Sequence, residues 1–308
     1  MIRQALLAAS RNLAVRDLLV ELPLTHDVVQ RFVAGETWEE ARSCVRDLVG
    51  KGLAVTIDVL GEDTTDEAQA ELRVADYCAL LDDLAAQGLT GAAEVSIKPS
   101  ALGLTLDGGD DIARRNAGLI VAKAKAVGTT VTVDMEGYDT TEQTIRLVEA
   151  LRVDTPDVGC VLQGGLKRTE FDCGRLDAPQ ARTRLCKGAY KFPPAAAYLN
   201  KHDVDLSYVR CLKVLMEGEG TPLVATHDPT MIEIAQELAS RTGRGLKDFE
   251  FQMLYGIRPL EQERLANQGH RVRVYVPFGP DWYGYFVRRL AERPANMTFF
   301  LRSFLGRA

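Results

Sequence analysis

The chain has 308 residues, of which 46% are hydrophobic and 26% charged, and its formal net charge is −6. These values fit one large globular domain, and the scattered acidic and basic residues argue against the basic face of a nucleic-acid-binding protein. The apolar runs are too short to span a membrane, and the six cysteines form no C-x-x-C pair. We therefore expect a cytoplasmic protein with free thiols and no metal site.

The predicted elements alternate between strand and helix along the chain. Residues 1–50 have a helical pattern and form an N-terminal arm. Short runs, most of them rich in Val, Ile or Leu, predict strands at residues 53–60, 93–98, 130–136, 158–163, 184–189, 222–227, 248–254 and 271–277. Helical periodicity lies between them at residues 65–87, 110–127, 141–151, 205–217, 229–240 and 260–267, whereas residues 163–184 show only a weak helical pattern. The expected helix N-caps are Thr65, Asp205 and Asp228.

Eight strands separated by helices imply parallel pairing through crossover connections. This pattern favours a single α/β domain, residues 1–308, that closes into a (β/α)8 TIM-type barrel with an extra N-terminal helical arm. An open doubly wound sheet is the alternative if one or two of the runs are loops. No G-x-G-x-x-G follows a strand, which removes the usual reason to propose a Rossmann dinucleotide site.

Polar residues cluster at the C-terminal ends of the predicted strands, where the chemistry of parallel barrels collects. The polar residues and their immediate neighbours at these ends are Lys98, Asp134, Met135, Glu136, Gln163, Lys187, Gly188, Ala189, Thr226, His227, Asp228, Tyr255 and Gly256. Arg184 stands at the start of the fifth predicted strand. Taken singly, Lys98 and Asp134 also fit a structural salt bridge, and Gln163 a buried amide. His227 alone fits a hydrogen-bonded core histidine.

A second polar group follows the last strand, on a helix that Asp281 is expected to cap. Tyr285, Arg288, Arg289 and Glu292 recur at helical spacing and share one face. Spacing alone favours a solvated face with an Arg288–Glu292 pair. At the mouth of a barrel, however, two adjacent arginines would form a bidentate fork for a carboxylate.

Seven short segments stand in order along the chain: VSIKPS, TVDMEGYDTT, VLQ, RLCKGAY, VATHD, FEFQMLYG and YFVRRLAE. Their order and spacing resemble the motif series of the proline dehydrogenase family, from about residue 32 to the C-terminus. The resemblance implies a distorted (β/α)8 barrel that holds FAD at its C-terminal mouth. It also implies oxidation of L-proline to Δ1-pyrroline-5-carboxylate by hydride transfer to flavin N5, with electrons passed to a membrane quinone.

The resemblance further implies a role for each polar residue at the mouth. Asp134 and Arg184 would be catalytic, with Arg184 near flavin N5 and Asp134 holding Lys98 and one of the α-helical arginines in place. The substrate residues would be Lys98, Arg288 and Arg289 at the proline carboxylate, and Tyr255 and Tyr285 around the ring. The cofactor residues would be Met135, Gln163, Lys187, Gly188, Ala189, Thr226, His227 and Glu292.

Three other functions are weighed against this one. A Schiff-base aldolase on the same fold would use Lys98 or Lys187 as its nucleophile. A non-catalytic barrel would bind a partner and carry no cofactor. A flavoenzyme for hydroxyproline or another cyclic secondary amine would share most of the site. The apolar residues 297–305 either pack on the barrel or touch the inner face of a membrane, and the sequence does not indicate an oligomeric state.

Overall fold

The computed structural model describes residues 29–61, 64–190 and 192–292, with side chains as far as residue 287. The strands are β1 Ala54–Val59, β2 Ala93–Ile97, β3 Val131–Val133, β4 Gly159–Gln163, β5 Arg182–Cys186, β6 Thr221–Ala225, β7 Glu250–Leu254 and β8 Arg271–Phe278. The helices are α1 Trp38–Gly50, α2 Glu67–Ala86, α3 Gly109–Ala126, α4 Thr141–Arg152, α5 Thr169–Arg175, α6 Lys201–Glu217, α7 Pro229–Thr242, α8 Pro259–Asn267 and α9 Trp282–Glu292.

Within the described residues, eight strands form a closed barrel in chain order, and every neighbouring pair is parallel. Closure comes from β1, which pairs with β2 at Ile57–Val95 and with β8 at Ile57–Val276. The predicted barrel is therefore confirmed, and the open doubly wound sheet is wrong. Among these helices, none is both long enough and apolar enough to cross a bilayer.

The prediction for the fifth strand was displaced along the chain by two to three residues. The strand begins at Arg182 and ends at Cys186, so Arg184 lies in its middle rather than at its start. Lys187, Gly188 and Ala189 consequently follow the strand as a loop. The weak helical pattern before this strand corresponds to the short helix α5, where Thr169 donates to the Gln163 carbonyl at 2.6 Å.

Of the three N-caps predicted for helices between the strands, one is correct. Asp228 caps α7 by accepting from the Thr230 amide at 3.1 Å. Thr65 was the wrong residue for α2, because the neighbouring Asp66 accepts from the Gln69 amide. Asp205 was also wrong, because α6 begins four residues earlier and the Asn200 side chain caps it.

The described part of the N-terminal arm packs against the start of the last helix. Its helix α1 begins with a capping box in which Thr37 and Glu40 bond to each other's backbone amides. Phe32, just before it, packs in a buried cluster with Trp282 and Phe286 of α9 and with Leu60, the residue after β1. This cluster holds α9 beside the C-terminal end of the barrel.

The barrel interior contains charged side chains at unusual density. Side chains of two strands that are not neighbours in the barrel can meet only across its interior. A contact between such strands therefore identifies side chains that point into the lumen. The lower layer, towards the strand N-termini, holds Glu94, Arg182, Glu250 and Arg273. All four are buried or nearly so, and they pair acid with base as a buried charge must.

Candidate active site

The upper layer of the lumen, towards the strand C-termini, contains a buried lysine–aspartate pair. Lys98 follows β2, and its ammonium contacts Oδ1 of Asp58 on β1. Asp58 is 1% exposed, and its Oδ2 is a buried oxygen with no hydrogen-bond partner among the described residues. Burial and the nearby Asp134 raise the pKa of the Asp58 carboxyl, and Lys98 opposes that rise only in part.

Asp134, at the end of β3, is the hub of a second group in the same layer. Its Oδ1 accepts from Ser96 Oγ at 2.7 Å and from Arg184 Nη1 at 2.8 Å. Its Oδ2 accepts from the Tyr275 hydroxyl at 2.7 Å. Asp134 is therefore held by three donors, which arrive from β2, β5 and β8.

Arg184 crosses the lumen from β5 and is only 5% exposed. Besides Asp134, its guanidinium contacts the Gln252 side chain on β7 and lies 5.3 Å from the centroid of the Tyr275 ring. Arginine donates five N–H bonds in a rigid fork and accepts none. Two of its nitrogens, Nε and Nη1, thus already donate to Gln252 and Asp134, which orients the guanidinium before any ligand binds.

Tyr275 was not predicted from the sequence, but its hydroxyl donates to Asp134 in the upper layer of the lumen. The Tyr255 side chain is half-buried, and its hydroxyl hydrogen-bonds to the Cys44 thiol of α1. The Tyr275 side chain instead lies in the lumen, with its hydroxyl 2.7 Å from Asp134 Oδ2 and its ring centroid 5.3 Å from the Arg184 guanidinium carbon. Burial, followed by the charge of Asp134, raises the pKa of Tyr275, which keeps this hydroxyl a hydrogen-bond donor.

Seven of the eight predicted cofactor residues lie at the ends of β3 to β6, and the eighth, Glu292, belongs to α9. Met135 is buried after β3, and Gln163, the last residue of β4, donates to the Glu136 carbonyl at 2.9 Å. Thr226 is buried after β6. Nε2 of His227 accepts from the Leu254 amide at 2.9 Å, so in the neutral ring the proton lies on the other nitrogen.

Lys187 and the glycine after it form the loop at the end of β5. The lysine ammonium contacts Asp205, and Asp228 at 3.0 Å. Although burial raises the pKa of both carboxyls, these lysine contacts outweigh it and lower both. Gly188 has φ +102°, and a Cβ there would lie 3.0 Å from the Phe192 ring and 3.2 Å from Gln163 Oε1. Glycine therefore keeps the space beside Gln163 open, and the half-buried Ala189 follows it.

Helix α9 confirms the predicted last helix, and Tyr285 on it is 6% exposed. The helix continues through residues 288–292, one turn beyond Tyr285. The side chains of Arg288, Arg289 and Glu292 lie outside the described part of the chain. The apolar residues 297–305 also lie outside it.

Asp58, Gln252 and Tyr275 were not among the predicted site residues, although their strands contained a usable pattern. Asp58 alternates with Thr56, and Tyr275 alternates with Arg273. Polar residues at every second position of a strand share one face. In a closed parallel barrel, a polar face on a buried strand indicates a polar lumen.

Comparison with known proteins gives a consistent result. The family model for proline dehydrogenase matches residues 41–302. Proline dehydrogenase 1 of Bacillus subtilis (strain 168) is 38% identical over 276 residues, covering 90% of this chain and 90% of that protein. Proline dehydrogenase of Deinococcus radiodurans is 39% identical over 282 residues, covering 91% and 90%.

A solved structure supports the fold independently. Proline utilization A (PutA) from Bdellovibrio bacteriovorus, inactivated by N-propargylglycine, has a TM-score of 0.81 at 24% identity. The likeness covers 87% of this chain and 33% of that one, so the chain spans about a third of the length of PutA. At this identity the similarity shows the barrel fold.

Proposed function

The chain belongs to the proline dehydrogenase family, and we propose that it oxidises L-proline to Δ1-pyrroline-5-carboxylate with FAD bound at the barrel mouth. The observation that carries the proposal is the upper layer of the lumen. It gathers Lys98, Arg184 and Tyr275 with two buried carboxylates. Helix α9, which carries the adjacent arginines, packs on Leu60 just after β1. The aldolase alternative has no support from the comparisons. Both of its candidate lysines are engaged by carboxylates, whereas a Schiff-base nucleophile attacks as a neutral amine.

The loop at the end of β5 fits a flavin. Gly188 leaves room beside Gln163 that a Cβ would fill, and a flat ring requires such an open face. Lys187 and His227 would meet the phosphate and ribose region, with Thr226, Met135 and Ala189 completing the walls. Glu292 would reach a ribose or ribityl hydroxyl. When bound, FAD supplies the acceptor for the hydride, and the protein orients the reactants.

The ion pairs of the lumen support a role for Arg288 and Arg289 as partners of the proline carboxylate. In the upper layer, Lys98 contacts Asp58 and Arg184 contacts Asp134, so each cation already has a carboxylate of the protein as its partner. The proline carboxylate adds a negative charge in a place largely closed to water. Arg288 and Arg289 would offset it, with Lys98 as a third contact, because a buried charge requires a partner.

The remaining residues would fix the ring of the substrate. Tyr285 is buried on α9, and Tyr275 is anchored through its hydroxyl to Asp134. We propose Tyr275 in the role that the sequence analysis assigned to Tyr255. Arg184 would lie beside the reacting atoms, where its positive charge favours the negative charge that develops on the acceptor. We further propose a quinone as the final electron acceptor, reached by peripheral contact with a membrane.

The first prediction concerns the absorption spectrum of the purified protein. We expect a yellow protein whose flavin bands bleach under anaerobic conditions when L-proline is added. The same measurement with hydroxyproline and with pipecolate shows which cyclic amine reduces the flavin most readily. A colourless protein that takes up no FAD on incubation would contradict the proposal. Bleaching by hydroxyproline alone would correct the substrate and leave the flavin assignment intact.

The second prediction concerns the arginine fork. We expect Arg288→Met or Arg289→Met to raise the KM for L-proline about 10- to 100-fold, since a hydrogen bond to a charged group contributes about 1.5–3 kcal/mol. The flavin should remain bound. Arg241→Met is the control, because that exposed arginine of α7 pairs with Glu237 one turn earlier on the same helix. Normal proline binding by both fork variants would show that the carboxylate lies elsewhere.

A further inference from the structure

Gln252 links the upper and lower layers of the lumen through both ends of its amide. It is 5% exposed on β7. Its Oε1 accepts from Nε of Arg184, and its Nε2 donates to Glu250 Oε1 at 2.7 Å. The orientation of the amide is chemically determined, because a guanidinium has no acceptor and a carboxylate no donor.

Glu250, the lower partner of Gln252, is itself fixed and neutralised. It is 2% exposed, and Arg273 on β8 contacts both of its oxygens, at 2.7 and 3.2 Å. Arg271 adds a third contact at 2.8 Å. Arg273 in turn donates to the Val55 carbonyl of β1 at 2.8 Å. The Gln252 amide is therefore anchored to the barrel wall through a carboxylate that has little freedom to move.

The contact at Nε determines which way the Arg184 fork faces. Nη1 already binds Asp134 and approaches Ser96 Oγ at 3.3 Å. Arg184 Nη2 makes only longer contacts, to Thr56 Oγ1 at 3.5 Å and Glu94 Oε1 at 3.8 Å. The contact at Nε, together with that at Nη1, therefore does most to fix the plane of the guanidinium. The amide achieves this without adding charge. A carboxylate at position 252 would place a second negative charge on Arg184, which already binds Asp134. It would also lie against the carboxylate of Glu250 and repel it.

We infer that Gln252, anchored by Glu250, is a positioning residue that sets the plane and the effective charge of the Arg184 guanidinium at the reacting centre. The inference rests on the proposed function, which places Arg184 beside the flavin. Gln252 acts through Arg184 and would touch neither substrate nor cofactor. Its loss would alter the chemical step and the electrostatic field beside the flavin more than the binding of proline.

The test compares Gln252→Leu and Gln252→Glu with Gln262→Leu in the FAD-loaded enzyme. Gln262 is also buried, at 2% exposed, but its side chain donates to the backbone carbonyls of Leu254 and Ile257. The readouts are the rate of flavin reduction by L-proline in a single turnover, the KM for proline, and the affinity of the flavin for sulfite. Sulfite is an anion that reports positive charge beside a flavin.

For Gln252→Leu we expect about a 10- to 100-fold slower reduction, as for other partners that orient a catalytic group, and about tenfold weaker sulfite binding. The KM should change by less than about threefold, since uniform binding is untouched. Gln252→Glu should weaken sulfite binding further. Gln262→Leu should lower the thermal midpoint without these changes. Equal effects of Gln252→Leu and Gln262→Leu, or no effect of Gln252→Leu on rate and sulfite affinity, would overturn the inference.

A second measurement separates this inference from the proposed function. In FAD-free protein, the thermal midpoints of Arg184→Met, Gln252→Leu and the double variant form a double-mutant cycle. We expect clear non-additivity, because each single change removes the same contact. Additive midpoints would overturn the inference whether or not flavin binds. If the wild-type protein takes up no FAD, the proposed function fails, and the cycle still decides whether Gln252 holds Arg184.

Discussion

Replacing Arg184 by methionine is expected to slow the reduction of the flavin by L-proline about 10²- to 10³-fold, the usual effect of removing one preorganised charged donor. The guanidinium is held by Asp134 and Gln252 before substrate enters, so little reorganisation accompanies the reaction. Methionine keeps most of the side-chain length and removes the charge. Stopped-flow absorbance under anaerobic conditions measures this rate directly.

The same substitution leaves Asp134 with fewer donors, so a structural effect must be separated from the chemical one. Ser96 and Tyr275 still donate to that carboxylate, and we expect the variant to fold and bind FAD. Arg152→Met is the matched control. That half-buried arginine donates to the carbonyls of Val158, Leu176 and Arg182 and should contribute only to stability. An Arg184→Met enzyme reduced at the wild-type rate would exclude Arg184 from the reacting centre.

Replacing Glu94 by glutamine is expected to lower the free energy of unfolding by about 3–5 kcal/mol, the usual cost of removing one partner from a buried ion pair. Glu94 is 1% exposed and pairs with Arg182, while Arg273 and Arg184 each lie 3.8 Å away. Thr56 and Thr132 also donate to it. The amide would leave these arginines with one fewer buried anion. Urea denaturation followed by circular dichroism measures the loss.

Glu142→Gln on α4 is the control for the Glu94 variant. This carboxylate binds Arg168 and Arg175, but its side chain is 36% exposed. Water screens such a pair, so we expect a loss below about 1 kcal/mol. A comparable loss of unfolding free energy in both variants would mean that burial does not make the Glu94 ion pairs stronger than exposed ones.

The Glu94 prediction also has a pH dependence with a definite sign. Burial raises the pKa of Glu94, but Arg182, Arg273 and Arg184 outweigh it and hold that pKa below the usual 4.5. A depressed carboxyl pKa contributes stability that is fully present above pH 4.5 and is lost as the pH falls below it. The difference in unfolding free energy between wild type and Glu94→Gln should therefore shrink in acid. A constant difference down to pH 3 would contradict this account.

The sequence located most of the candidate site but did not single out Tyr275. Lys98, Asp134 and Gln163 were predicted from strand ends, and all three lie at the C-terminal rim of the barrel. Tyr255 was chosen because it directly follows a strand. Tyr275 was passed over because it lies within a strand, where the expected barrel core was apolar. Because the lumen is polar, residues in the middle of a strand face the candidate site as well as those at its end.

The sequence by itself determined the eight strands, the helices between them and the rim of polar residues, because hydrophobic periodicity is a local property of neighbouring residues. Only the tertiary structure decided which charges meet. Arg184 contacts Asp134 and Gln252 from 50 and 68 positions away along the chain, and Thr56 from 128. Such partners depend on the register and closure of the barrel, since a shift of one residue turns each side chain from the lumen to the outer face. The joint orientation of all eight strands therefore selected Asp58 for Lys98 and Gln252 for Arg184.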